Sequence, residues 1–71
     1  MNEWIDIEMD VPVDDRHVLV SFANASEPDI GRYEEDKDGG GSFYIGDMDE
    51  TFLSVGLIPN AWMPLPDCYK D

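Results

Sequence analysis

Carboxylates dominate the reactive side chains of this sequence, and three of them follow a regular pattern near its start. In residues 4–11 every second residue is apolar, and the residues between them are Asp6, Glu8 and Asp10. Such alternation is typical of a β-strand with one buried and one solvated face. Alternate strand residues lie about 6.6–6.8 Å apart, close to the roughly 6.8 Å of two phosphate steps along a DNA strand. We therefore predict a strand whose solvated face carries carboxylates at phosphate spacing.

The whole chain is strongly acidic. Seventeen Asp and Glu residues accompany four Lys and Arg residues, for a formal net charge of −13. The negative electrostatic field of such a chain repels nucleic acids and anionic membranes, so the net charge excludes direct binding to either. Ordinary solubility needs a net charge of only roughly 2–8 in magnitude. The excess favours a mimic of DNA, although solvation of a small domain or a halophilic origin would also explain it.

Residues for catalysis are few. His17 is the only histidine, Cys68 is the only cysteine, and Ser21 is the only hydroxyl or thiol near His17 in sequence. A general base needs an orienting partner and a nucleophile or a substrate pocket. Paired carboxylates would serve a glycosidase only in a groove that holds a sugar, for which 71 residues leave little room. We predict that the protein is not an enzyme.

One glycine-rich stretch has the spacing of a calcium loop. Asp36, Asp38 and Asp47 occupy positions one, three and twelve, and Gly41 occupies position six. Position five is Gly40 and position twelve lacks the bidentate Glu, while the flanks predict strands where a calcium loop has helices. We predict a hairpin tip with no functional metal site and no cofactor. A calcium-binding enzyme or sensor is the alternative.

The length and composition of the chain predict one small soluble domain over residues 1–71. A single cysteine excludes an internal disulfide and fits a reducing compartment. No apolar run approaches the roughly 20 residues of a membrane span, and the first residues lack the basic start of a signal peptide. A hydrophobic content of 42% argues against disorder. We expect a cytoplasmic monomer.

Turn residues divide the chain into short strands. Residues 16–23 predict the strongest strand, and residues 30–35 and 43–46 should pair as an antiparallel hairpin across the glycine-rich tip. Residues 51–55 fit either a strand or one helical turn. Prolines should confine residues 61–65 to a sheet edge or an irregular lid. The predicted fold is mainly β (α+β possible), a small antiparallel sheet of four to five short strands with at most one short helix.

The two ends of the chain carry a resemblance. Met1-Asn-Glu-Trp-Ile5, Val18-Leu-Val20 and Trp62-Met-Pro-Leu-Pro66 resemble a family of small domains catalogued as domain of unknown function 551, encoded mostly by bacteriophages and prophages. Residues 23–60 have no counterpart in it. The resemblance implies a mobile-element origin in a bacterial host cell and a shared scaffold, but no activity. Physically, Trp4 and Trp62 are predicted to lie in the core, since a Trp side chain can dominate the stability of a small domain.

In size and charge the chain also resembles acidic anti-CRISPR and anti-restriction proteins. We predict a DNA-mimic inhibitor that binds a basic nucleic-acid-binding protein of a bacterial defence system, for example a CRISPR effector subunit, and blocks its access to DNA. The alternative is a phage structural or adaptor domain that binds a protein partner through apolar residues such as Trp62, Met63 and Leu65. The predicted partner-binding residues are Asp6, Glu8, Asp10, Glu34, Glu35, Asp36, Asp47, Asp49 and Glu50.

Overall fold

The structure, a computed structural model, describes residues 3–13 and 16–65. Its strands form one antiparallel five-stranded sheet in the order β1-β5-β2-β3-β4. This confirms the prediction of a mainly β domain with at most one short helix. The predicted turn at Asp14 and Asp15 and the tail 67–71 lie outside the described residues. The elements are β1 (Ile5–Asp6), β2 (His17–Phe22), β3 (Asp29–Glu35), β4 (Gly41–Ile45), a 3-10 turn (Leu53–Val55) and β5 (Pro59–Pro64).

Strand β2 lies at the centre of the sheet, between β5 and β3. Its strict alternation explains this position, because Val18, Val20 and Phe22 are all buried on one face while the residues between them are half-buried. Phe43 of β4 and Trp62 of β5 join these three residues in one hydrophobic cluster. The core therefore lies against a single face of the sheet, as predicted for β2.

Two segments outside the strands cover this buried face. Residues 7–12 follow β1, and the Trp62 indole Nε1 donates a hydrogen bond to the carbonyl oxygen of Asp10 in this segment (3.1 Å). Residues 52–57 precede β5 and bring Phe52 edge-on against Phe22, with ring centroids 4.8 Å apart. Phe52 is 1% exposed and Trp62 is 9% exposed. The core is thus closed by one sheet face and two irregular segments.

The predicted strand over residues 4–11 is wrong beyond Asp6. The Asp6 carbonyl accepts hydrogen bonds from the amides of Met9 (2.9 Å) and Asp10 (3.1 Å), which closes a turn directly after β1. The Asp6 carboxylate also accepts a hydrogen bond from the Glu8 amide (2.8 Å). Asp side chains compete in this way with strand pairing. As a result Met9, expected on the buried face, is 83% exposed.

The prediction that proline confines the last strand to an edge is also wrong. Strand β5 pairs with β1 on one side and with β2 on the other. Its prolines, Pro59 and Pro64, occupy the first and last strand positions, where proline is tolerated, and β1 has only two residues to pair. Trp62 is buried as predicted, whereas Trp4 precedes β1 and is 46% exposed, so its predicted core position is wrong.

Strands β3 and β4 form the predicted antiparallel hairpin, and Tyr33 pairs with Phe43 across it. The glycine-rich tip is closed by a hydrogen bond from the Asp36 amide to the Gly40 carbonyl (2.7 Å). A side chain at Gly41 would collide with the Tyr33 ring, which lies over this glycine. The hairpin therefore uses an aromatic side chain to cover a glycine at the start of β4.

Candidate partner-binding site

All nine predicted partner-binding acids are exposed. Among the described residues no charged side chain is buried, and every Asp and Glu is exposed. The nine acids fall into three groups by their place in the fold. These are the first-turn acids (Asp6, Glu8, Asp10), the hairpin acids at the end of β3 (Glu34, Glu35, Asp36) and the loop acids after β4 (Asp47, Asp49, Glu50).

The first-turn acids do not form an extended row. Asp6 ends β1, and Glu8 and Asp10 lie in the following turn and the segment after it. The predicted match between strand spacing and phosphate spacing is therefore wrong for this group. The carboxylates of Asp6 and Asp10 instead accept local amide hydrogen bonds, from Glu8 (2.8 Å) and from Val11 (2.9 Å). These two side chains stabilise the chain reversal that covers the core.

The hairpin acids lie where β3 extends past its pairing with β2. The last registered pair between these strands is His17 with Arg32, so Glu34 and the residues after it pair with β4 alone. Glu34 accepts a hydrogen bond from Arg32 Nε at 2.6 Å. Glu35 ends the strand and Asp36 begins the tip. This group therefore lies on a projecting end of the sheet.

The loop acids lie in a tight turn after β4, and the chain then runs back alongside this strand. The Ile45 amide donates a hydrogen bond to the Glu50 carbonyl (2.9 Å), and Thr51 forms an antiparallel bridge with Tyr44. The chain then leads directly into Phe52, which enters the core. The loop acids are consequently held between a strand and a buried aromatic residue.

Arg32 fixes the conformation of this loop from β3. Its Nη1 donates hydrogen bonds to the carbonyl oxygens of Gly46 (2.6 Å) and Met48 (2.8 Å). Its guanidinium carbon lies 5.0 Å from the centroid of the Tyr44 ring, within the range of a cation–π contact. The Arg32 side chain is 13% exposed and also binds Glu34. A single cation thus joins one hairpin acid, Glu34, to the backbone of the loop that carries the loop acids.

His17 contacts the same loop from β2. Its Nε2 lies 2.9 Å from Oδ1 of Asp47, and their side chains are 38% and 93% exposed. An exposed pair of this kind contributes about 1 kcal/mol or less. The only histidine of the chain therefore lies at a half-exposed position beside an acid, and its contact helps to place the loop.

The acids of the calcium-loop pattern are separated by β4. Asp36 and Asp38 lie at the hairpin tip, and Asp47 follows the other end of the strand. Five strand residues span roughly 16 Å, whereas calcium ligands lie about 2.3–2.6 Å from the ion. These acids cannot share one ion. In residues 3–13 and 16–65 no group of three or more His, Cys, Asp and Glu side chains is placed to hold a metal ion.

The apolar residues proposed for the adaptor alternative are largely inaccessible. Trp62 and Met63 are each 9% exposed, and Leu65 is half-buried. The structure instead opens an apolar groove between the segments that cover the core, with a volume of about 290 Å³. Sequence reasoning missed this groove because its walls come from irregular segments that are far apart in the chain. Its lining includes Ile7, Val11, Tyr33, Phe43, Leu53 and Ile58.

We expect Arg32→Met to lower the free energy of unfolding by about 2–3 kcal/mol, because hydrogen bonds to charged groups contribute roughly 1.5–3 kcal/mol. The substitution keeps an apolar stem but leaves the Gly46 and Met48 carbonyls without their donor. Urea denaturation followed by circular dichroism measures the change. Lys37→Met removes the same charge from the exposed hairpin tip and should alter stability by less than about 0.5 kcal/mol. Equal effects of the two substitutions would contradict the assigned role of Arg32.

Salt should stabilise this protein. Self-repulsion of a net charge of −13 opposes the compact state, and the Debye length falls from about 30 Å at 0.01 M to about 3 Å at 1 M ionic strength. We expect the melting temperature to rise by roughly 4–8 °C over this range, the shift that about 1 kcal/mol produces in a domain of this size. Thermal scans in sodium chloride test this. A falling melting temperature would mean that attractive pairs outweigh the repulsion.

The fold and this surface define a small acidic antiparallel β domain whose carboxylates are all directed to solvent in the described part of the chain. Comparisons with known protein families, with curated proteins and with solved structures found no match. Across residues 3–13 and 16–65, no helix has the length and hydrophobicity needed to cross a membrane.

Proposed function

We propose that this domain is an acidic DNA mimic of the anti-CRISPR or anti-restriction type. It binds a basic nucleic-acid-binding protein of a bacterial defence system and acts by occupying the DNA site, without catalysis. The observation that carries the proposal is the exposure of every described carboxylate on a chain of net charge −13. The resemblance of the chain ends to a phage-encoded domain family supports the same setting.

The charge density supports imitation of a nucleic acid strand. The protein is 43 Å long and 26 by 25 Å across. The described residues carry thirteen Asp and Glu and three Lys and Arg, a net charge of −10, which over this length corresponds to one negative charge per about 4.3 Å. One strand of duplex DNA carries one phosphate per roughly 3.4 Å of axis. A basic channel suited to a DNA strand therefore meets about four-fifths of that charge per unit length on this domain.

The hairpin acids and the loop acids are the favoured contact surface. Arg32 links one hairpin acid to the loop that carries the loop acids, with Glu34 at 2.6 Å and the loop carbonyls of Gly46 and Met48 at 2.6 and 2.8 Å. Carboxylates on a prearranged backbone lose less conformational entropy when a partner binds. Their field also speeds the encounter with a basic surface. The first-turn acids lack such a link to Arg32.

The direct test is capture of the partner followed by competition. The tagged domain is incubated with a bacterial lysate, and the captured protein is then offered fluorescent duplex DNA with and without the domain bound. We expect the bound domain to abolish DNA binding, and the capture itself to weaken steeply as salt rises. A captured protein that still binds DNA normally while holding the domain would overturn the proposal.

Charge-matched variants then locate the surface. The loop variant Asp47→Asn, Asp49→Asn, Glu50→Gln and the first-turn variant Asp6→Asn, Glu8→Gln, Asp10→Asn each remove three negative charges. The loop variant should weaken binding to the captured partner more than the first-turn variant does. Equal losses would show that net charge alone acts and that the loop acids are not the contact surface.

A further inference from the structure

The apolar groove has walls from both segments that cover the core. Ile7 and Val11 line one side and Leu53 and Ile58 line the other, with Phe43 among the residues between them. Its volume of about 290 Å³ is at the lower end of the roughly 300–1,000 Å³ of ligand pockets. The groove is therefore large enough for one large side chain with part of its backbone, but small for a drug-sized ligand.

The rim of the groove exposes more apolar surface than folding requires. Leu53 is 62% exposed and Ile58 is 51% exposed, and both line the groove. Val55, on the same 3-10 turn as Leu53, is 51% exposed but does not line it. Contiguous exposed apolar surface bordered by polar residues is typical of a contact site. The groove residues thus form a concave apolar patch with an exposed edge.

Acidic residues adjoin the groove at three places. Glu8 and Asp10 lie in the segment of one wall, Glu35 is paired in register with the groove residue Gly41, and Glu50 immediately precedes the groove residue Thr51. Charge complementarity therefore selects an occupant that is both apolar and cationic. A second copy of this chain is disfavoured as the occupant, because it carries the same charge of −13.

We propose that this groove binds a short basic peptide segment with a large apolar side chain at its centre and Lys or Arg on both sides. The apolar side chain fills the groove between the wall of Ile7 and Val11 and the wall of Leu53 and Ile58, and the flanking cations meet the neighbouring carboxylates. Lys and Arg stems suit such a site, since their methylene groups pack on apolar surface while the charged head stays in water. This rests on the proposed function, because it names the part of the basic partner that docks.

The test uses two synthetic peptides and needs no identified partner. The first is acetyl-Arg-Lys-Leu-Trp-Lys-Arg-amide, and the second replaces its Leu-Trp by Ser-Ser at the same charge. We expect the first peptide to bind at least about tenfold more tightly in roughly 0.15 M salt, because it buries large apolar side chains. Isotope-labelled protein should show amide shift changes at Thr51 and Ile58. Equal affinity of the two peptides, or changes spread evenly over all acids, would overturn the proposal.

Matched variants separate the groove from general loss of structure. Leu53→Ser should weaken binding of the Leu-Trp peptide about tenfold, whereas Val55→Ser, at a similarly exposed position on the same turn, should leave it unchanged. Circular dichroism and melting curves confirm that both variants are folded. Equal effects of the two substitutions on peptide affinity would overturn the groove assignment.

The outcomes for the groove and for DNA mimicry are distinguishable. Peptide binding that is sensitive to Leu53→Ser, together with undisturbed DNA binding by the captured partner, supports the groove and rejects mimicry. Displacement of DNA by both the native protein and the Leu53→Ser variant, with no preference for the Leu-Trp peptide, supports mimicry and rejects the groove.

Discussion

Phe52→Ala is expected to bring this domain to the edge of unfolding. Phe52 is 1% exposed and packs edge-on against Phe22, with ring centroids 4.8 Å apart. Buried Phe→Ala substitutions cost about 3–5 kcal/mol, and at roughly 0.05–0.15 kcal/mol per residue a domain of this length has about 4–10 kcal/mol in all. The loss is therefore comparable with the whole stability. Urea denaturation followed by Trp fluorescence and circular dichroism measures it.

Two controls accompany this substitution. Phe52→Leu retains much of the buried volume and should cost clearly less. Leu53→Ala changes the next residue, which is 62% exposed, and should cost less than about 1 kcal/mol. A Phe52→Ala variant as stable as Leu53→Ala would show that the segment 52–57 is held by other contacts.

Gly31→Ala is the second substitution with a large expected effect. A Cβ atom at Gly31 would lie 2.5 Å from Cε2 of Phe52 and 2.5 Å from the backbone carbonyl oxygen of Tyr44. The backbone oxygen belongs to the β3–β4 ladder and cannot move without breaking strand pairing. Overpacking of this kind costs typically 1–3 kcal/mol and occasionally more. We expect about 3 kcal/mol, measured as a shift in the urea midpoint.

Gly40→Ala is the matched control for Gly31→Ala. A Cβ at Gly40 meets only the Asp36 carboxylate oxygen, at the ordinary contact distance of 3.8 Å. Removing a glycine from a compatible position restricts the unfolded chain, so this variant should be neutral or more stable by up to about 1 kcal/mol. Similar costs at Gly31 and Gly40 would mean that Phe52 does not pack against β3 as described.

Phe52→Ala and Gly31→Ala both disturb the packing of Phe52, the residue that links the core to the candidate site. Phe52 follows the loop acids by two residues and immediately precedes Leu53, which lines the apolar groove. Its amide also donates a hydrogen bond to the Phe43 carbonyl (3.1 Å). Loss of this anchor would release the loop acids and one groove wall together. Binding should therefore be studied with substitutions of exposed residues, whereas substitutions of the buried residues Phe52 and Gly31 report on stability.

The proposed interface combines the groove as its apolar centre with the acids as its charged rim. In protein complexes the desolvated centre carries most of the affinity, while charges at the rim raise the association rate and set the salt dependence. Variants of the loop acids should accordingly change the association rate most, and Leu53→Ser should change the dissociation rate most. Stopped-flow binding and surface plasmon resonance separate the two rates.

Strong local patterns predicted strand β2 and the β3–β4 hairpin. The alternation of Val18, Val20 and Phe22 identified β2 and its buried face, because a period of two places alternate residues on one face of a strand. The glycine-rich tip identified the β3–β4 hairpin, since its pairing depends on residues close in sequence. The exposure of every described acid follows from the cost of burying an unpaired charge.

Residues 4–11 had the same alternation as β2 and did not form a full strand. The Asp6 carboxylate and carbonyl close a local turn there, and the Trp62 indole donates to the Asp10 carbonyl from 52 residues away. In a continued strand the Asp10 carbonyl would have been available to a neighbouring strand, whereas here it accepts the hydrogen bond from the Trp62 indole. A long-range hydrogen bond of this kind has no local pattern, so only the folded chain reveals that this segment covers the core.

The sequence by itself determined the fold class, strand β2, the hairpin and the exposure of the acids, because each depends on local periodicity, turn residues or the solvation of charge. Only the tertiary structure decided that β5 is internal, that Arg32 joins Glu34 to the loop after β4, and that residues far apart in the chain form an apolar groove. These features depend on which segments pack over the sheet. Which segments pack there depends on the sum of the contacts in the whole core, so no single segment of the sequence specifies it.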